Sequence, residues 1–101
     1  MIVRLTVQGA VVQDPDDLDG VRLRTDLDAD GLRTALQTTG TGESAGADAV
    51  LLDVAVLRSL AIMSPTAPDW PQRWASMIED ARRRGLLAPD GRSIRVPIER
   101  S

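Results

Sequence analysis

Three stretches of this chain alternate apolar and polar residues with a period of two, and they sit toward its two ends. In MIVRLTVQ, Val3, Leu5 and Val7 fall on one side and Ile2, Arg4, Thr6 and Gln8 on the other. In VRLRTDL, Val21, Leu23, Thr25 and Leu27 share a face against Arg22, Arg24 and Asp26. Near the end of the sequence Ile94, Val96 and Ile98 repeat the pattern. Successive side chains of a strand point to opposite faces, so these stretches predict half-buried strands over residues 2–8, 21–27 and 93–99. Between the second and third the apolar spacing turns helical. One sheet must therefore gather strands from both ends of the chain around intervening helices, which is an α+β arrangement.

The helical part divides into three. In DADGLRTALQTTG, Leu32, Ala35 and Leu36 are spaced for one helix face, Asp28 can cap the start and Gly40 the end, predicting a helix near 29–38. Residues 38–48, rich in Gly, Thr and Ser, read as a flexible loop. The run AVLLDVAVLRSLAIM is apolar on two helical stripes and predicts a buried helix over 48–63, with its valines keeping a strand over 49–57 open. SPTAPDWP then interrupts. Asp69 can cap a helix that tolerates Pro71 in its first turn, and Trp70, Trp74, Met77, Ile78 and Ala81 form its apolar stripe. Arg82–Arg84 favour the negative end of the helix dipole and Gly85 the left-handed cap, giving a helix over 70–84.

The expected fold is a small, mostly antiparallel three-stranded sheet in the order β-β-α-α-α-β, covered on one face by helices. The second strand is expected antiparallel to the first across the turn-rich loop VQDPDDLDG, and Pro97 puts the closing strand at an edge. With 101 residues and 43% apolar content, residues 1–101 suffice for a single compact domain. Its core must be built from aliphatic residues and Met, because there is no Phe or Tyr and only Trp70 and Trp74.

Composition also closes off chemistry. The chain has no Cys, His or Lys, which excludes thiolate and imidazole metal ligation, thiol nucleophiles, an imidazole base and Schiff-base chemistry. No catalytic residue and no cofactor is assigned. Catalysis by a carboxylate pair in DPDDLDG would need one group desolvated, and a solvated acidic loop is the simpler reading. Charge is uneven: residues 1–50 carry four Arg against nine carboxylates, a net −5, and residues 51–101 carry eight Arg against six, a net +2. No long apolar run or leader-like start is visible, so the expectation is a soluble, cytoplasmic protein without a membrane segment.

Candidate binding residues fall into three groups. Trp70 and Trp74, one helical turn apart with Arg73 between them, suit an interface anchor for a protein partner or a second copy, with Trp70 expected to be the more exposed. A helix over 70–84 followed by a hairpin over 86–99 resembles the outline of a winged helix-turn-helix. In that alternative Arg73, Arg82, Arg83, Arg84, Arg92 and Arg95 would contact nucleic-acid phosphates, against a negative net charge. The segment Asp26–Gln37 resembles an EF-hand calcium loop, with Asp26, Asp28 and Asp30 at the first, third and fifth positions and Gly31 at the sixth. Gln37 stands where a bidentate Glu belongs and Arg33 at the eighth position. The competing account makes Asp28 a helix cap. GTGESAG could cradle phosphate but follows a helix and carries Glu43, so a connector is the simpler reading. The functional expectation is a non-catalytic interaction module or accessory subunit acting through a protein partner or self-association.

Overall fold

The first strand, β1 (Ile2–Thr6), follows the alternation, with Val3 and Leu5 buried and Arg4 and Thr6 exposed in the computed structural model, which describes residues 1–100. The chain reverses through Val7 and Gln8, where Thr6 Oγ1 accepts from the Gln8 N–H at 3.2 Å. It returns as β2 (Gly9–Gln13), antiparallel to β1 from Thr6↔Gly9 to Ile2↔Gln13. Because β2 occupies one flank of β1, β3 (Arg22–Thr25) adds to the other and runs parallel to it, Val3 opposite Leu23. The expected antiparallel pairing is thus reversed. GAVVQ sets Val11 beside Val12 and so lacks a period of two, and the hairpin it forms inverts the direction of everything that follows.

Helix α1 (Ala29–Thr39) starts at Asp28, whose carboxylate accepts from the Gly31 N–H at 2.7 Å, and ends on Gly40 at φ 66°. Leu32, Ala35 and Leu36 are buried, as their spacing predicts. The segment read as a connector contains β4 (Gly42–Ser44), which forms a hairpin with β5 (Ala49–Asp53). The apolar run expected as one helix over 48–63 divides at Asp53. Before it the chain is strand; after it α2 (Val54–Ala61) begins, capped by Asp53 accepting from the Val56 N–H at 3.0 Å. A carboxylate inside an apolar run is the cap signal that marks the switch. Helix α3 (Trp70–Arg83) forms as expected, although Asp69 occupies its cap position without a side-chain hydrogen bond.

The last strand, β6 (Ser93–Arg100), lies between β3 and β5, parallel to the first and antiparallel to the second. The sheet is therefore six-stranded and mixed, in the order β2-β1-β3-β6-β5-β4, not a three-stranded, mostly antiparallel one, and Pro97 is in an interior strand. The sheet also curls. Helix α1 touches β2 and β4, the two edges, and α2 touches β2 and β5. Five strand spacings would hold flat edges about 24 Å apart, twice the diameter of a helix. The result is a half-barrel plus three helices, with β6 sewing the N-terminal ladder to the β4–β5 hairpin. The core includes Val3, Leu5, Leu23, Leu36, Leu52, Leu57 and Val96. Two buried polar side chains are satisfied: Thr25 Oγ1 donates to the Leu5 carbonyl at 2.9 Å, and Thr41 Oγ1 lies 2.6 Å from that of Thr39. No helix among the described residues is long and apolar enough to cross a membrane.

Candidate functional site

The site begins with a proline that cannot complete a ladder. Ile98 donates its N–H to the Asp48 carbonyl at the β5 side. Backbone groups alternate sides along a strand, so the position of the Pro97 nitrogen faces β3, where it has no hydrogen to give. Pairing of β6 with β3 accordingly starts only at Ile98. Upstream, β6 takes a different neighbour: Arg95 N–H donates to the Leu86 carbonyl at 2.8 Å and Ala88 N–H to the Ser93 carbonyl at 2.9 Å. Between these two pairings, Val96 and Pro97 part from Val21 and Arg22, the residues that the β3–β6 register would set beside them.

The split opens a cleft of about 930 Å³, roofed by α3. Val21, Met77 and Leu86 supply its apolar surface, backed by the buried Leu18 and Val96. Around it stand Asp19, Asp48, Asp69 and Arg95, all exposed, none of which forms an ion pair among the described residues. Arg73 and Arg84 also line it, but Arg73 is engaged by Asp16 at 3.8 Å and Arg84 by Asp80 at 3.5 Å. With those pairs neutralised, the uncommitted charge is predominantly negative. The polar side chains present are carboxylates, guanidinium groups, Gln72 and Ser76.

The tryptophans expected at an interface point inward. Trp70 is 1% exposed and Trp74 6%, so the anticipated greater exposure of Trp70 is reversed. Their rings stack with centroids 5.2 Å apart and planes at 24°, and the Arg58 guanidinium lies 5.9 Å from the Trp70 ring. Trp70 Nε1–H donates to the Pro15 carbonyl at 2.7 Å, and the Asp16 carboxylate accepts from the Ala67 N–H at 3.0 Å. Arg73 reaches the Asp16 carbonyl as well as its carboxylate. The acidic loop read as merely solvated is thus the platform on which α3 is mounted.

The other groups are dispersed. Arg82 pairs with Glu79 and Arg83 with Asp80, leaving Arg92 and Arg95 of the nucleic-acid set without an ion pair among the described residues. Leu87 bridges Ile94, so a short hairpin does follow α3, but its second strand is the central β6. Asp28 is occupied as a helix cap and Asp30 lies 3.4 Å from Arg33. Neither they nor Asp26 join a cluster of three metal-ligating side chains among the described residues.

Beside the cleft, Glu99 fastens the β3–β6 seam. It sits opposite Arg24 in the register and bonds Arg24 Nη2 at 2.7 Å and Arg22 Nε at 2.6 Å. The hydrogen bond from Arg24, then the nearby guanidinium charges, hold the Glu99 carboxyl below its ordinary value of 4.5. A depressed folded value means the stabilisation is complete above about pH 4.5 and is lost as pH falls through the folded value. Glu99→Gln should therefore flatten the acid limb of stability against pH and leave its neutral slope unchanged, as read from urea midpoints across that range.

Comparison with protein-family models, curated proteins and solved structures finds no match for this chain. Sequence reasoning missed Asp19, Asp48 and Asp69 as a set because they are far apart along the chain. The one local signal of the cleft is Pro97 inside an otherwise regular strand.

Proposed function

We propose that this chain is a non-catalytic binding module that holds an extended, basic segment of a protein partner in the cleft where β3 and β6 part. The observation that carries the reading is the pairing of an apolar cleft with exposed, uncommitted carboxylates at Asp19, Asp48 and Asp69. An extended chain places alternate side chains on opposite sides, so apolar residues meet Val21, Met77 and Leu86 while Arg or Lys side chains reach the carboxylates. The non-catalytic part rests on the absence of His, Cys, Lys and Tyr from the sequence.

The probe is a short end-capped peptide of alternating valine and arginine, with a valine–glutamate peptide as its control. The arginine peptide should shift the backbone amides of residues 18–21 and 94–96, bind more weakly as salt is raised, and lose roughly tenfold in affinity with Asp48→Asn and Asp69→Asn combined. The glutamate peptide should produce no shifts. Absence of amide shifts around the cleft with the arginine peptide, or equal binding of both peptides, would refute the reading.

A further inference from the structure

We propose that β2 is a self-pairing edge, through which two copies of this chain join in an antiparallel, two-fold-symmetric manner centred on Val11 and merge their half-barrels into one continuous sheet. This surface shares no residue with the cleft and stands independently of what the cleft binds.

The two edges of the sheet are unequal. β4 is three residues long and carries the exposed Glu43, two devices that discourage pairing with another chain. β2 is five residues, GAVVQ, with no charge and no proline. Ala10 and Val12 are partly buried against the core, whereas Val11 points away and is 60% exposed. Val7 on the preceding turn is 79% exposed. The remaining exposed large apolar residues among those described, Ile62 and Met63, follow α2, the helix packed against β2.

Backbone register decides how a partner would fit. The turn between β1 and β2 leaves only Val7 and Gln8 outside the ladder, so Thr6↔Gly9 can pair only by exchanging hydrogen bonds directly. Such pairs recur at every second residue, which makes Arg4↔Val11 another and commits the Val11 N–H and C=O to β1. The N–H and C=O of Ala10 and Val12 then point out of the free edge. A two-fold axis at Val11 brings Ala10 of each copy opposite Val12 of the other, so those outward donors and acceptors satisfy one another. It also sets the two Val11 side chains directly across from each other as a non-hydrogen-bonded pair, the closer of the two kinds. An uncharged strand meets itself without like-charge repulsion. An isologous contact of this kind closes at two copies.

Because the chain has no cysteine, a single introduced thiol reports the geometry directly. Sedimentation equilibrium should give twice the 10.9 kDa chain mass at high concentration, and Val11→Lys should return it to the monomer mass with an unchanged circular dichroism spectrum. Val11→Cys should form a disulfide-linked dimer under mild oxidation, and Glu43→Cys on the other edge should not. A wild-type chain that stays monomeric to millimolar concentration overturns the proposal. So does a dimer in which Val11→Cys fails to cross-link, a readout that stands even where Val11→Lys fails to fold.

Discussion

Trp70→Ala is expected to cost the fold roughly 3–5 kcal/mol, the range for truncating a buried aromatic. Trp70 is the largest fully buried side chain in the structure, and three separate contacts converge on it. Its ring stacks on Trp74, its Nε1–H is spent on the Pro15 carbonyl, and Arg58 lies over its face. Alanine loses the packing, leaves a cavity that α3 cannot collapse into while tied to Asp16, and removes the hydrogen bond joining helix to loop. For a domain of this length the loss lowers Tm by more than ~10 °C, measurable by far-ultraviolet circular dichroism. Trp70→Phe separates the terms: it keeps most of the apolar area and forfeits the hydrogen bond, so a cost nearer 1–2 kcal/mol is expected. A cost under about 1 kcal/mol for Trp70→Ala would mean that α3 is held chiefly by its polar tethers to Asp16.

The second large effect is expected from Gly42→Ala, at about 3 kcal/mol. A Cβ on Gly42 would lie 2.0 Å from the Leu51 carbonyl oxygen and 3.0 Å from the Leu52 Cα, and both obstacles are backbone. No rotamer change relieves such a clash, so β4 must move away from β5. Gly40, at φ 66°, offers the contrast: nothing lies within 4 Å of a Cβ there, and Gly40→Ala should cost only the conformational term of about 1 kcal/mol. Hydrogen exchange on the β4–β5 amides should accelerate in Gly42→Ala and remain near wild type in Gly40→Ala. If the two variants are equally destabilised, close approach of the hairpin strands is not what Gly42 serves.

Both predictions turn on residues that the sequence displays but does not explain. GTGESAG reads as a connector because glycine is ordinarily a turn residue, yet Gly42 is required by a neighbour ten positions away in the ladder. Trp70 at a helix start reads as the more exposed of two tryptophans, yet the loop carrying Pro15 and Asp16 folds over it from a distant part of the chain. The candidate site shares this character. Asp19, Asp48 and Asp69 belong to three segments with no common motif, and only the parting of β3 from β6 sets them around one opening.

What the sequence determined by itself is local. Period-two alternation specified β1, β3 and β6; the spacing of Leu32, Ala35 and Leu36 specified α1; that of Trp70, Trp74 and Ala81 specified α3. Asp28 and Gly40 marked helix ends because capping is a contact between neighbours in the chain. The tertiary structure alone decided the strand order, the parallel pairing of β1 with β3, the insertion of β6 between two ladders, and the cleft. The reason is that these depend on which distant backbones share hydrogen bonds. One unanticipated hairpin at GAVVQ reverses a strand direction, and one proline without an N–H opens a sheet, without either altering the periodicity of the residues around it.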